Sequence, residues 1–324
     1  MFHLGRPFIS GVIVVALFVL PACLPQVNHP GKQVVNPKIE SGHFVAADGA
    51  VLPVRTWLPV DNPATAVIVA LHGFNDYSNF FASPGTYLSR HGIACYAYDQ
   101  RGFGGAPGHG LWSGIEAYTG DLSSFVTEIR TRHPGIPLYV LGESMGGAVT
   151  IVAMTGSNSP HVDGIILVAP AVWGRETMPW YQRLLLAVAS HTLPWVQLTG
   201  KGLHVTPSDN SEMLRALGRD PLVIRDTRID VLYGLTNLMD EALSRADKLH
   251  IPTLVQYGAH DQIIPPKPMF LMLEKTPKTT RRAFYEGGYH MLLRDVQGEK
   301  PLADIAAWIA DNDGPLPYGS GTWK

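Results

Sequence analysis

The segment Ile136–Met154 reads IPLYVLGESMGGAVTIVAM. Its opening residues, Ile136–Val140, are apolar and partly β-branched, as in a buried strand. Its closing residues, Ala148–Met154, form an apolar helix candidate. Between them Gly142, Ser144 and Gly146 make a Gly-x-Ser-x-Gly turn. A strand that stops in this pattern and restarts as a helix is the setting in which a serine is held on a sharp turn with its hydroxyl projecting. Five residues specify little alone. The reading gains weight if a histidine, a carboxylate and backbone donors appear where that turn requires them.

Outward from this segment, strand-like runs occur at Ala66–Leu71, Ile93–Tyr98, Leu138–Leu141 and Gly164–Val168, separated by helical stretches such as Tyr118–Arg132. Strands alternating with helices imply an α/β fold, a mostly parallel sheet covered on both faces. Upstream, HFVAA and VLPVRTWLP flank Asp48-Gly49, a strong hairpin signal, and predict an antiparallel opening pair. The alternation breaks after Pro170 and resumes at IPTLVQYG, Ile251–Gly258, where Pro252 can stand near a strand's start but not inside a central one. Ala171–Leu249 is therefore expected to be an insertion, a helical cap over Ser144.

In open parallel sheets, ligands collect at the carboxyl ends of strands. Four runs end in chemistry: Val67–Leu71 in His72-Gly73-Phe74-Asn75, Leu138–Leu141 in Ser144, Thr253–Tyr257 in GAHDQIIPP with Asp261, and Arg282–Tyr285 in EGGYHMLL with His290. A serine hydroxyl needs a base, and neutral imidazole is the side chain whose ordinary pKa lies nearest working pH. His290 is the candidate base and Asp261 the carboxylate that would hold its tautomer and stabilise the imidazolium. The chain order Ser, Asp, His is that of α/β-hydrolases. Charge on a carbonyl oxygen needs donors already aimed at it, for which the backbone N–H groups of Phe74 and Met145 are the candidates.

Rival readings sit beside each assignment. Glu286 and Asp295 are alternative acids, and His260 adjoins Asp261. Asp99 and Arg101, in DQRGFGGAPG, read as a structural ion pair shaping a loop. Glu143 beside the serine reads as structural, since the adjacent side chain on so sharp a turn points away.

With 324 residues the chain can bury a substantial core as one domain with an insertion. Charged residues are 16% of the total and the net charge is -2, which argues against disorder and against nucleic acid as a partner. Arg6 precedes the apolar run FISGVIVVALFVL, Phe8–Leu20, which is short for a membrane span but fits a secretory signal. Leu20-Pro21-Ala22-Cys23 resembles a bacterial lipobox in which Cys23 is lipidated; Pro21 departs from the commoner residue there. The expectation is a signal peptide over 1–22, a tether over 23–41, a domain over 42–312 and a tail over 313–324. An exported, membrane-anchored lipoprotein of the bacterial cell envelope follows, in the outer membrane or periplasm. Cys95, the only other cysteine, reads as a small buried hydrophobe.

The segments LHGFNDYS, DQRGFG, LGESMGGAV, DPLVIRDTRI, YGAHDQIIPP and YHMLLRD resemble the monoacylglycerol lipase and lysophospholipase branch of the α/β-hydrolase superfamily, from about Gly42 to Asp311. The departures are the export segment, and Gly105 with Ala106 where relatives often carry serine. The resemblance implies a cofactor-free, metal-free serine esterase acting on a lipid or ester with a medium or long acyl chain, through an acyl-enzyme. The apolar cap supplies candidate acyl-pocket residues, Trp180 and Leu185 together with the Phe74 side chain. An aminopeptidase or amidase would need acids in the cap, for which Glu176, Asp209, Glu212 and Asp240 are available. An acyltransferase, or a non-catalytic lipid-anchored binding module, also remains open at this stage, as does the oligomeric state.

Overall fold

In the computed structural model, residues 24–322 are described apart from 201, 203 and 204. Cys23 and the apolar run before it lie outside the described residues. The described chain forms a nine-stranded sheet in the order β1-β2-β3-β5-β4-β6-β7-β10-β11. Its strands are β1 (Lys38–Glu40), β2 (His43–Val45), β3 (Val51–Trp57), β4 (Ala66–Leu71), β5 (Ile93–Tyr98), β6 (Leu138–Glu143), β7 (Gly164–Val168), β10 (Thr253–Gly258) and β11 (Arg281–Tyr285). The first three are antiparallel, and from β5 to β11 every neighbour is parallel. This is the mostly parallel sheet the strand pattern implied, in the α/β-hydrolase arrangement that the resemblance implied.

Strand alternation explains the two-sided core. In β4, Val67, Val69 and Leu71 enter one apolar cluster, while Ala66, Ile68 and Ala70 enter the other. In β5, β6 and β7 the same period of two sends alternate residues to opposite faces. Cys95 is fully buried on the second face, and burial raises its thiol pKa, as befits a packing residue.

The helices that cover the faces are α1 (Ala82–Arg90), α2 (Ile115–Arg132), α3 (Met145–Met154), α6 (Ile229–Arg245), α7 (Pro266–Lys275) and α8 (Glu299–Ala310); α4 (Trp180–Thr192) and α5 (Ser211–Leu217) belong to the excursion after β7. A two-stranded antiparallel pair, β8 (Gln197–Thr199) with β9 (Asp226–Arg228), ties the excursion together.

Three expectations need correction. The excursion ends near Arg228 and not at Leu249: α6 packs against α3 and buries Leu238, Met239, Ala242 and Leu243 in the sheet core. The described part of the expected 23–41 tether, residues 24–41, is docked on the domain. Asn28 N donates to Trp112 O at 2.7 Å, Gly31 N to Asp48 Oδ2 at 2.9 Å, and β1 pairs with β2. Lastly, Asp99 and Arg101 are not paired. Arg101 forks between Asp48 (2.7 Å) and Asp121 (2.6 Å), holding the hairpin turn against α2. Asp99 instead accepts the backbone N–H groups of Ser78 and Gly105. The Arg101 hydrogen bond is the leading reason that the Asp48 carboxyl sits at about 2.

The last residues are pinned as well. Ser320 bridges Phe284 through two backbone hydrogen bonds of 2.8 and 3.0 Å, which covers the β11 edge.

Candidate active site

The chain leaves β4 toward β5 on one side of the sheet and later enters β6 on the other, so β4 and β6 flank a topological switch point. Ser144 lies there, between β6 and α3, with φ 53° and ψ -114°. That left-handed conformation is uncommon for a non-glycine residue and costs about 1–3 kcal/mol unless its surroundings impose it. The flanking glycines explain how it is imposed. A Cβ on Gly142 would lie 2.4 Å from the Gly146 carbonyl oxygen, and one on Gly146 would lie 2.3 Å from the Leu71 carbonyl oxygen. Both contacts are with backbone, so only glycine allows α3 to start this close to β4 and β6. Ser144 N donates to Val168 O and Ala171 N to Ser144 O, fixing the turn to β7 and the residues after it.

The β4 loop passes directly beside this turn, since a Cβ on Gly73 would be 3.3 Å from the Ser144 Cβ. His72 locks the loop from beneath. Its Nε2 accepts from Gln100 N at 2.9 Å, which leaves Nδ1 to donate to Gly73 O at 2.8 Å. Burial lowers the His72 pKa, and the neutral ring is a structural tie. Phe74 N and Met145 N follow, and neither has a hydrogen-bond acceptor among the described residues. Met145 N is expected to be unpaired, because a helix's first N–H groups have no acceptor within the helix. The Phe74 ring packs edge-on against Phe103 with centroids 5.7 Å apart.

Asp261 and His290 follow neighbouring strands, β10 and β11, and the structure brings them together: His290 Nδ1 lies 2.8 Å from Asp261 Oδ2. The other carboxylate oxygen accepts Ile263 N at 2.8 Å and Ile264 N at 2.9 Å. Desolvation works against the His290 imidazolium, but the charges of Asp261 and Glu143 outweigh it and hold the pKa above its ordinary value. The side-chain hydrogen bond of His290 among the described residues is the one to Asp261.

The rival acids are accounted for. Glu286 is exposed, and Asp295 accepts from Ser208 Oγ (2.6 Å) and Tyr289 N (2.7 Å), with burial raising its pKa to about 6. His260 is exposed beside the Tyr289 ring. Glu143 points away from Ser144, as expected, but into an ion pair with Arg294 that sequence reasoning did not find. The only signal was a basic residue four positions after His290.

Trp180 and Leu185 do not wall a closed pocket. Each is 68% exposed, because α4 lies on α6 with only Ser190 buried. A cavity of about 610 Å³ elsewhere, between the β11 loop and the tail, is bordered by Tyr285, Lys300 and Tyr318 and by the rejected candidates His260, Glu286 and Asp295, but not by Ser144, Asp261 or His290.

The Hydrolase_4 family, described as serine aminopeptidase S33, matches residues 62–297, which include Phe74, Ser144, Met145, Asp261 and His290. The chain belongs to this family. The chain is similar to monoglyceride lipase of Rattus norvegicus, 27% identical over 297 residues that cover 89% of this chain and 96% of the relative. It is likewise 27% identical to monoacylglycerol lipase of Mycolicibacterium smegmatis, over 83% of this chain and 96% of the relative. In fold, this Hydrolase_4 member resembles a soluble variant of monoglyceride lipase from Saccharomyces cerevisiae solved with a substrate analogue. That match has a TM-score of 0.69 and 20% identity, and covers 90% of this chain and 99% of the other.

Proposed function

We propose that the protein cleaves esters of medium or long acyl chains, of the monoacylglycerol or lysophospholipid kind, through an acyl-enzyme on Ser144. It is a carboxylic ester hydrolase. The observation that carries the mechanism is the His290–Asp261 contact at 2.8 Å at the same strand-end edge of the parallel sheet as a serine held at φ 53°.

Ser144 Oγ attacks the ester carbonyl carbon while His290 Nε2 takes its proton. Phe74 N and Met145 N donate to the oxyanion. Collapse of the tetrahedral intermediate breaks the bond to the alcohol, which leaves with the proton from His290. Water, deprotonated by the same imidazole, then releases the acid and restores Ser144.

The family's aminopeptidase description would require free acids in the excursion or in α6 beneath it to hold an amino terminus. Glu176 is paired with Lys275, Asp240 with Arg175, and Asp209 accepts Val296 N. Glu212 is exposed in the first turn of α5. These engagements favour the ester reading.

The site of action is a lipid surface. Trp180, Tyr181, Leu184, Leu185 and Val188 leave an apolar face of α4 in solvent, and between Thr177 and Ser208 the chain carries no Asp or Glu. Such a face suits an anionic lipid interface. A lipidated Cys23 on an exported chain would bring it there. Trp180 and Leu185 then act as the lip over which an acyl chain enters, and not as a sealed wall.

A series of glycerol esters from acetyl upward tests this. Each fully buried methylene is worth about 0.8 kcal/mol, roughly fourfold in kcat/KM per carbon as an upper limit. The constant should climb and then fall, and Trp180→Ala or Leu185→Ala should flatten the climb. A maximum at acetyl that neither substitution alters would overturn the lipid reading.

A further inference from the structure

Arg294 is 8% exposed in a short 3-10 turn, Leu292–Arg294, four residues after His290. Its Nη1 lies 2.8 Å from Asp76 Oδ2 and its Nη2 donates to Glu143 Oε1 at 3.0 Å. The guanidinium also stands over the Phe80 ring, 5.8 Å from its centroid. Each partner adjoins a working group. Asp76 is two residues beyond Phe74 and its Oδ1 accepts Tyr77 N at 2.8 Å, which fixes the β4 loop. Glu143 immediately precedes Ser144. One cation therefore joins the loop of the oxyanion donor, the nucleophile turn and the loop of the base.

Stability is a poor account of this arrangement. Taking three charges out of water costs several kcal/mol per ion, and replacing such a cluster by apolar groups is often neutral or stabilising. Its placement at the seam of three loops is what a planar fork does better than packing, because two fixed N–H directions set the distance and orientation between two carboxylates. Ser144 follows β6 and His290 follows β11, strands that are not neighbours, so ties between their loops set how the two side chains are placed relative to one another.

We propose that Arg294 is a positioning residue, whose guanidinium holds the Phe74 loop, the Ser144 turn and the His290 loop in one register for acyl transfer. The proposal rests on the serine-hydrolase reading. Arg294 touches neither substrate nor reacting atoms and acts through Asp76 and Glu143. Glu143 has a second effect, since His290 is faced by Asp261 after β10, by Glu143 from β6 and by Arg294 from its own loop. Removing the Glu143 charge leaves the imidazolium with less support.

The test compares wild type, Arg294→Lys and Glu143→Gln in the full chain, with rates expressed per active site counted by fluorophosphonate titration. Lysine keeps the charge but cannot bridge both carboxylates with fixed geometry. It should lower kcat and the rate of fluorophosphonate labelling together, by about 10- to about 100-fold, with KM changed by less than about threefold. Glu143→Gln should move the acid limb of kcat/KM to lower pH. Wild-type turnover per active site in Arg294→Lys, with only the melting temperature lowered, would overturn the proposal and leave a structural cluster. If Arg294→Lys yields no folded protein, the Glu143→Gln profile decides, and an unmoved limb overturns it. Failure of wild-type protein to label at Ser144 would instead remove the serine reading itself, so the two failures are distinct.

Discussion

Replacing Asp261 by Asn changes one atom and should remove most activity for a reason the hydrogen bonds dictate. Asp261 Oδ1 accepts from Ile263 N and Ile264 N at 2.8 and 2.9 Å, and Oδ2 faces His290 Nδ1 at 2.8 Å. An asparagine that keeps both backbone bonds must put its oxygen at the first position and its NH2 against His290. Nδ1 then has to accept, the ring proton moves to Nε2, and the imidazole cannot take the Ser144 proton. The productive tautomer returns only if the amide flips and leaves two N–H donors, Ile264 buried and Ile263 half-buried, unpaired. At about 1–3 kcal/mol for each, the flip costs about 2–6 kcal/mol, so the productive form falls by about 30-fold to about 10⁴-fold. The same change in an unrelated serine protease costs about 10⁴-fold, at the upper end. The assay is kcat/KM on a soluble ester at saturating pH, with denaturant unfolding to confirm that the protein stays folded. A folded Asp261→Asn enzyme within about threefold of wild type would refute the assignment of Asp261 as the carboxylate that sets the imidazole.

Other outcomes follow from the same geometry. His290 must be neutral to act, and its pKa is raised, so kcat/KM should rise with pH through a midpoint above the ordinary imidazole value of about 6.5; a midpoint clearly below it contradicts the electrostatics. Gly146→Ala would set a Cβ 2.3 Å from the Leu71 carbonyl oxygen. It should cost about 1–3 kcal/mol of stability and about 100-fold in kcat, read by urea unfolding and initial rates, and an enzyme with wild-type values would show that the turn is not held by that contact.

The strands and the triad candidates were legible because their signals are local. A buried parallel strand is a short apolar run, and each of Ser144, Asp261 and His290 follows such a run directly. The hairpin at Asp48-Gly49 and the place of Pro252 just before β10 were readable for the same reason. What escaped depends on contacts distant in sequence. The apolar face of α6 looks the same whether it covers the sheet or a cap, so the boundary at Leu249 was set too late. Residues 24–41 carry few side chains that announce burial, and their docking runs largely through backbone hydrogen bonds. Arg101 chose Asp48 and Asp121 over its near neighbour Asp99 because the hairpin turn and α2 converge on it, 53 and 20 residues away. The Arg294 tie spans 151 residues to Glu143, and no pattern in YHMLLRD predicts that partner.

The most direct measurement is the mass-spectrometric location of a covalent fluorophosphonate adduct after proteolysis of the labelled protein. The account predicts one adduct per chain, on the peptide containing Ser144, and no labelling of Ser144→Ala. An adduct on another residue, or equal labelling of Ser144→Ala, would contradict it.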